Sequence, residues 1–148
     1  MKKICLLALI FVLNGCADST PPTNEYSVDK YLGQWVVINY WAKWCKPCIE
    51  EIPELNTFDQ TYPNVVVLGV NYDGAIGEEL TQQLQQLEVE FPTLSRDPYA
   101  DLNIARPAVL PTTLIIDPEG KLSHTLLGPQ TLATLAAATK QQFQQTSD

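Results

Sequence analysis

Histidine, basic side chains and long apolar segments are all scarce in this chain of 148 residues. A single histidine and four cysteines provide few ligands for a zinc site, which normally needs four. Nine lysine and arginine residues against 17 acidic ones give a formal charge of −8, which argues against a nucleic-acid partner. The 45% of apolar and 18% of charged residues are typical of a folded soluble domain, and the length predicts one domain, which we expect to be monomeric.

The N-terminal apolar run is too short to span a bilayer as a mature helix. It covers residues 4–13, follows two lysines, and ends in Leu-Asn-Gly-Cys at residues 13–16. This layout predicts a lipoprotein signal peptide over residues 1–15, with cleavage before Cys16 and lipidation of its thiol. The alternative is a plain secretory signal with an incidental cysteine.

Cleavage before Cys16 would leave Cys45 and Cys48 as the free thiols of the mature chain. Residues 16–27 are polar, contain two prolines, and are interpreted as the lipidated cysteine and a flexible tether. We therefore expect the protein in the cell envelope, on the periplasmic or extracytoplasmic face, anchored to a membrane by lipid. Disulfides persist in such an oxidising compartment, so a dithiol there is chemically meaningful.

Residues 28–148 are predicted to form one α/β domain with a mixed central sheet and helices on both faces. Runs of β-branched and aromatic residues predict four strands, at 36–41, 65–70, 113–116 and 122–127. Helical spacing predicts helices at 45–60, around Leu80, Leu84 and Leu87, and around Leu132, Leu135, Ala136 and Phe143. We further expect a kink at Pro53, a turn at 117–120, and Gln82, Gln83, Gln85 and Gln86 facing water.

The segment Cys45-Lys46-Pro47-Cys48 carries the chemistry. Two cysteines at this spacing are compatible with a redox pair, half of a zinc site, a copper site or a structural disulfide. The pair directly follows a predicted strand and opens a helix, where the helix dipole and free N–H groups stabilise a thiolate on Cys45. Lys46 adds a positive charge, Pro47 fits a first helical turn, and Cys48 lies one turn away. This position favours the redox interpretation.

Two segments of the chain resemble a known family. The run 36–48, Val-Val-Ile-Asn-Tyr-Trp-Ala-Lys-Trp-Cys-Lys-Pro-Cys, resembles the thioredoxin superfamily, and most closely its TlpA/ResA branch of extracytoplasmic thiol–disulfide oxidoreductases. The run 110–120, Leu-Pro-Thr-Thr-Leu-Ile-Ile-Asp-Pro-Glu-Gly, resembles the segment that carries the family's cis proline. The resemblance extends from about Val28 to the end of the chain and implies a thioredoxin fold.

The resemblance also implies a role for each matching residue. Cys45 resembles the exposed nucleophile and Cys48 the buried resolving thiol. Pro111 would be cis and face the cysteine pair, leaving the backbone of Leu110 free to bind an extended substrate segment. Trp44 matches the aromatic residue at the rim where substrates dock.

The family further implies the protein's partners. Substrates would be thiols and disulfides of exported proteins, with cytochrome c maturation among the family's roles. A membrane electron carrier of the DsbD/CcdA type would reduce the pair again. The redox-active disulfide would need no metal and no organic cofactor.

Two positions depart from cytoplasmic thioredoxin. Asn39 stands where that protein has a buried aspartate, and Gly69 stands near the place of its lysine. Because asparagine cannot titrate, the proton acceptor must be another group. The TlpA/ResA branch uses a glutamate of the first helix, Glu51 falls on that position, and we hypothesise that it shuttles the proton of the resolving thiol. The alternative is a solvated glutamate in an acidic patch with Glu50 and Glu54.

The direction of exchange is left open by the sequence. Reduction of exported disulfides is the predicted activity, but an oxidase or isomerase would run the same exchange backwards. Lys46 favours oxidising behaviour and Glu51 opposes it. A copper-binding assembly factor is a further alternative, although His124 has no motif around it. A peroxidase is disfavoured because no cysteine lies in a Pro-x-x-x-Thr-x-x-Cys segment.

Overall fold

The computed structural model describes residues 26–142, which contain five strands and three α-helices. The strands are β1 (Trp35–Trp41), β2 (Val65–Asn71), β3 (Thr93–Leu94), β4 (Thr112–Ile116) and β5 (Leu122–Leu127). The helices are α1 (Lys46–Thr61), α2 (Gly77–Gln86) and α3 (Leu132–Ala138), and a 3₁₀ helix at Val28–Tyr31 precedes them.

β1 lies at the centre of a mixed sheet with the order β3-β2-β1-β4-β5. It is parallel to β2 across the α1 crossover and antiparallel to β4. β5 returns antiparallel to β4 after the predicted turn, where Asp117 Oδ1 accepts hydrogen bonds from the N–H groups of Glu119 (3.1 Å) and Lys121 (2.8 Å). The predicted mixed sheet is therefore confirmed.

Alternate residues of β1 divide the core between the two faces of the sheet. Val37 packs on the face covered by α1 and α3, against Leu55 and Phe58. Ile38 packs on the opposite face, where Tyr31 of the 3₁₀ helix covers the sheet. Helical segments thus lie against both faces, as the sequence predicts.

Helix α1 begins at the predicted place and continues through Pro53 without interruption. Pro53 lies on the exposed side of the helix, and the Thr57 hydroxyl donates a 2.8 Å hydrogen bond to its carbonyl group. The kink at this proline stays a prediction. As one continuous helix, α1 carries Cys48 and Glu51 in consecutive turns.

Three details differ from the sequence-based expectations. Gln83 is buried rather than facing water, because its Oε1 accepts a 2.8 Å hydrogen bond from Asn71 and its Nε2 donates to Glu79. The other three glutamines of that group are exposed. Strand β3 was not predicted, because two residues are too few to show a pattern. α3 ends at Ala138, and Phe143 lies outside the described residues.

The predicted signal peptide, Cys16 and most of the tether also lie outside the described residues. Tyr26, assigned to the tether from its sequence, is instead buried and stacks on Tyr31 with 5.7 Å between the ring centres. The folded part therefore begins earlier than predicted. Within residues 26–142, none of the helices has the length and apolar character needed to cross a membrane.

Candidate active site

The two cysteines lie at the start of α1, directly after the central strand. β1 ends at Trp41, and Cys45 is the N-cap residue of α1, with its Sγ accepting a hydrogen bond from the Cys48 N–H at 3.3 Å. Pro47 occupies the first turn, where its missing N–H costs nothing. Cys45 and Cys48 form a disulfide with their Cα atoms 5.3 Å apart. The predicted arrangement of strand, cysteine and helix is thus present.

The two cysteine residues differ in exposure. Cys45 retains 5% of its accessible surface and Cys48 only 1%, so Cys45 is the outer member of the pair, although it is less exposed than the family resemblance implies. Cys45 borders a groove of about 480 Å³ on the protein surface. The groove is lined mainly by apolar side chains from three segments: Trp44, Lys46, Pro47, Tyr72, Ala108, Val109 and Leu110.

Trp44 forms one side of this groove and is 63% exposed. Its indole Nε1 donates to both oxygens of Asp73, at 2.9 and 3.1 Å. An exposed indole held in this way presents a large apolar face to a docking segment at a small entropic cost. The role of Trp44 in docking substrates stays a prediction.

Leu110 lines the groove on a different segment from Trp44 and directly precedes Pro111. Their peptide bond is cis, as predicted, and Pro111 is buried directly before β4. The Pro111 carbonyl accepts a 2.9 Å hydrogen bond from the Gly128 N–H, which ties this segment to the end of β5. Leu110 is half-buried and contributes to the groove wall beside the disulfide.

A polar network fixes the segment before Leu110. Asp97 accepts hydrogen bonds from the hydroxyl of Tyr40 and from Nε of Arg106, both at 2.7 Å. The Arg106 guanidinium also donates to the Tyr72 carbonyl at 2.6 Å and lies 3.9 Å from the centre of its ring. The groove wall is therefore connected to the central strand through charged hydrogen bonds.

Lys46 is exposed and forms an ion pair with Glu50, with 3.7 Å between Nζ and Oε1. This carboxylate partly offsets the positive charge that the sequence places beside Cys45. Exposed pairs of this kind are also screened by salt. Stabilisation of a Cys45 thiolate therefore depends mainly on the helix N-terminus.

Glu51 is buried, with 2% of its surface exposed, and so is not part of a solvated acidic patch. Its Oε1 accepts a hydrogen bond from Asn39 Nδ2 at 2.7 Å, and its Oε2 accepts one from the Gln130 N–H at 2.8 Å. Burial raises the pKa of Glu51 to about 7, although both hydrogen bonds act in the opposite direction. A carboxyl group with this pKa can exchange protons near neutral pH.

Sequence reasoning missed two members of the hydrogen-bonded cluster around this acid. Thr113 pairs with Asn39 across β1 and β4, and its Oγ1 accepts a 3.0 Å hydrogen bond from the same Asn39 Nδ2. The proximity of Thr113 to Asn39 could have been found from strand register. The contact of Glu51 with Gln130 uses a backbone N–H, which any residue except proline supplies, so no residue type could have indicated it.

Gly69 is required by close packing. A Cβ atom built at this position would lie 2.6 Å from Thr93 Oγ1 and 2.9 Å from Trp41 Nε1. No lysine could occupy this position without displacing β3. Close packing against Thr93 and Trp41 therefore leaves no room for a side chain at Gly69.

His124 lies far from the cysteine pair. It is exposed on β5, contacts Ser123, and pairs with Ile115, which in turn pairs with Val37. Val37 is four residues from Trp41, about 13 Å along the strand. Between residues 26 and 142, no group of three or more His, Cys, Asp and Glu side chains is arranged to hold a metal ion.

Comparison with known sequences gives a consistent set of similar proteins. Residues 11–125 match the AhpC/TSA family. The thiol-disulfide oxidoreductase ResA of Geobacillus kaustophilus is 30% identical over 113 residues, covering 73% of this chain and 63% of that protein. The thioredoxin-like protein YneN of Bacillus subtilis is 31% identical over 115 residues, covering 73% of this chain and 65% of YneN. The chain thus spans less than two thirds of the length of these two relatives.

Comparison with solved structures confirms the thioredoxin fold. StoA from Bacillus subtilis matches with a TM-score of 0.61 and 22% identity, over 73% of this chain and 84% of StoA. A thiol:disulfide interchange protein of the thioredoxin family from Chlorobium tepidum matches with a TM-score of 0.60 and 22% identity, over 78% of this chain and 83% of that one. At this level of identity the likeness concerns the fold alone.

Proposed function

The chain belongs to the AhpC/TSA family and has the thioredoxin fold, and on that premise we propose that it is an extracytoplasmic thiol–disulfide oxidoreductase. The observation that carries the proposal is the Cys45–Cys48 disulfide at the N-terminus of α1, beside an apolar groove. The names of similar proteins, which include ResA thiol-disulfide oxidoreductases, support it. We propose reduction of disulfides in exported proteins as the physiological direction.

In the first step, the Cys45 thiolate attacks one sulfur of a substrate disulfide. The substrate S–S bond breaks, a mixed disulfide forms with Cys45, and the other substrate sulfur leaves as a thiolate that takes a proton from water. The N-terminus of α1 and the Cys48 N–H stabilise the attacking thiolate. Cys45 is the attacking sulfur because it borders the groove.

In the second step, the Cys48 thiol gives its proton to the Glu51 carboxylate and attacks the Cys45 sulfur. The mixed disulfide breaks, the second substrate sulfur leaves as a thiolate, and the Cys45–Cys48 disulfide forms. Two electrons have passed from the protein to its substrate. Glu51 suits this role because it lies one turn after Cys48 and has a pKa of about 7.

The groove would hold an extended substrate segment across the cysteine pair. Trp44 and Leu110 supply apolar surface from different segments of the chain. The backbone of Leu110 would form short β-type hydrogen bonds with this segment. Main-chain recognition of this kind tolerates many sequences, which fits a protein that acts on several exported partners.

The cellular setting is part of the proposal. A lipid on Cys16 would hold the protein at a membrane, and a membrane electron carrier of the DsbD/CcdA type would reduce the pair again. Reduction of apocytochrome c cysteines, as a step of cytochrome c maturation, is one candidate task. The acidic composition means that lipid, not charge, would provide the membrane attachment.

A trapping experiment tests the function. The full chain carrying Cys48→Ala should accumulate mixed disulfides with exported proteins through Cys45, and the double variant Cys45→Ser/Cys48→Ala should accumulate none. If both variants gave the same pattern, the proposed exchange would be wrong.

The reduction potential of the Cys45–Cys48 pair tests the direction of exchange. A value of about −270 mV supports a reductase, and a value of about −120 mV supports an oxidase.

A further inference from the structure

Both carboxylate oxygens of Glu51 face hydrogen-bond donors. Oε1 faces the side-chain Nδ2 of Asn39, and Oε2 faces the backbone N–H of Gln130. This arrangement suits the ionised form, which only accepts hydrogen bonds. A protonated carboxyl group has an O–H that needs an acceptor, and burying it without one is unfavourable. In their present orientation neither of these two partners can accept the proton of a protonated Glu51.

The two partners differ in their ability to change. The Gln130 backbone N–H is a donor in every state of the protein. The side-chain amide of Asn39 carries a donor at Nδ2 and an acceptor at Oδ1, and half a turn about its last bond exchanges them. Its Oδ1 is buried without a hydrogen-bond partner among the described residues, so this rotation breaks no bond of that atom.

Thr113 can follow such a rotation. Its Oγ1 now accepts the second hydrogen bond of Asn39 Nδ2, at 3.0 Å. A hydroxyl group both donates and accepts, so the same group can donate to Asn39 Oδ1 after the rotation. Oδ1 has two lone pairs and can accept from Glu51 and Thr113 together.

We propose that Asn39 is an invertible positioning residue, which turns Nδ2 toward the ionised form of Glu51 and Oδ1 toward the protonated form, with the Thr113 hydroxyl reversing in step. Glu51 then gains a proton on Oε1, and releases it, without moving its carboxyl group. The inference rests on the proposed function in one respect, that the proton exchanged is the one from Cys48. The inversion itself is a property of the buried cluster.

Other residue types at position 39 could not hydrogen-bond equally well to the ionised and the protonated form of Glu51. An aspartate would place a second carboxylate beside Glu51, and the two could not both ionise easily. An apolar residue would offer neither donor nor acceptor. Asparagine leaves one of its polar atoms without a partner in either orientation, Oδ1 when Glu51 is ionised and Nδ2 when it is protonated. The free-energy cost of an unpaired polar atom at Asn39 is therefore similar for the ionised and the protonated form of Glu51.

Within residues 26–142, the hydrogen bonds of Glu51 are made by uncharged groups. Among the described residues, Asn39 of β1 and the Gln130 N–H before α3 bind Glu51, and Thr113 of β4 binds Asn39. On α1, Glu54 binds the Leu132 N–H at 2.7 Å instead. The Cys48 thiol titrates when reduced, so the cluster is best examined in the oxidised protein. The raised pKa of Glu51 means that both protonation states are populated near neutral pH.

Nuclear magnetic resonance of the oxidised full chain, without substrate, tests the inversion directly. The carboxyl carbon of Glu51 reports its protonation, and nuclear Overhauser contacts report the orientation of the Asn39 amide. We expect contacts from the Asn39 NH₂ protons to Thr113 and Glu51 at high pH, and their loss at low pH with the midpoint of Glu51. Contacts that persist on both sides of this midpoint would show a fixed donor and overturn the inference.

The variant Asn39→Ala supplies a second test. An invertible partner stabilises both protonation states, so its removal should shift the Glu51 midpoint by less than about one pH unit. A fixed donor stabilises only the ionised form, so its removal should raise the midpoint by more than about one unit, which would contradict the inference. Thr113→Ser keeps the hydroxyl and should retain the pH-dependent change of the amide contacts.

These measurements separate two kinds of failure. An inactive protein whose Asn39 amide still inverts with pH would refute the proposed exchange and leave the inversion standing. An active protein whose Asn39 amide does not turn with pH would refute the inversion and leave the proposed exchange standing. If Asn39→Ala does not fold, the titration of the unaltered protein still decides the question.

Discussion

Glu51 links the protonation of one buried side chain to the stability of the fold. Its pKa of about 7 lies above the ordinary value of 4.5, so the native state holds this proton more tightly than the unfolded state. The stabilisation is fully present below pH 4.5 and is lost as the pH rises through 7. The total loss is on the order of 3 kcal/mol.

Glu51→Gln should remove this pH dependence, because glutamine resembles the protonated acid and does not titrate. We expect the unfolding free energy of the unaltered protein to fall relative to the variant between about pH 4 and about pH 8, by up to about 3 kcal/mol. Urea unfolding of both oxidised proteins at several pH values measures the difference. Glu50→Gln, on the exposed side of α1, should leave the profile unchanged. Parallel profiles for Glu51→Gln and the unaltered protein would contradict this assignment.

At the level of elements, the contact of β2 with β3 depends on the absence of a side chain at Gly69. The Gly69 N–H donates a 2.7 Å hydrogen bond to the Pro92 carbonyl, and Thr93 Oγ1 lies only 2.6 Å from the place of a Cβ atom on residue 69. Gly69→Ala should therefore destabilise the protein by about 1–3 kcal/mol through overpacking. Thermal or urea unfolding measures this loss.

A double variant identifies the cause of that loss. Thr93→Ala removes the hydroxyl that meets the new methyl group, so Gly69→Ala/Thr93→Ala should be more stable than the sum of the two single effects predicts. Strict additivity would show that the contact between these two side chains is not responsible. Trp41 Nε1, at 2.9 Å from the same point, would then be the next candidate.

The segment that carries one wall of the groove depends on Arg106. Arg106→Ala would remove the hydrogen bonds to Asp97 and to the Tyr72 carbonyl. We expect faster amide hydrogen exchange in residues 97–110 and weaker binding of disulfide peptides, with the exchange of α1 unchanged. Arg106→Lys keeps the positive charge but cannot donate to Asp97 and to the Tyr72 carbonyl with the planar geometry of a guanidinium. Its amide exchange and peptide binding should lie between those of the unaltered protein and Arg106→Ala. Unchanged exchange in 97–110 would show that the segment is held by its apolar contacts.

The elements themselves were largely predictable, because their signals are local. The apolar run of β1, the turn before β5 and the Cys-Lys-Pro-Cys segment each carry their own pattern. Gln83 was assigned to the surface because its partner, Asn71, lies on a different element. The bond between Glu51 and Gln130 joins residues 79 positions apart through a backbone group. Contacts of that kind follow from the assembled fold, so sequence patterns could not reveal them.

For the whole molecule, the surplus of acidic residues affects the choice of partner. In the part of the chain that the structure describes, four basic side chains are paired with acidic ones: Lys43, Lys46, Arg96 and Arg106. With a formal charge of −8, the long-range field attracts basic partners. This effect acts on encounter rates more than on the stability of the bound state.

We therefore expect a disulfide peptide flanked by lysines to be reduced faster than one flanked by glutamates. The ratio should be about tenfold at low ionic strength and should approach one near 1 M salt, where screening is strong. Stopped-flow measurement of the second-order rate constants over a range of salt gives both values. A ratio that does not change with salt would assign the preference to local contacts in the groove.

Three consecutive residues, 128–130, touch both halves of the candidate site. The Gly128 N–H binds the carbonyl of Pro111, and the Gln130 N–H binds the carboxylate of Glu51. For protein engineering this makes the junction between β5 and α3 a poor place for an affinity tag or an inserted reporter domain, whereas the turn before β5, where Glu119 and Lys121 are exposed, is a better one. A deletion of a single residue in 128–130 would disturb the docking wall and the proton acceptor together, although neither is close to it in the sequence.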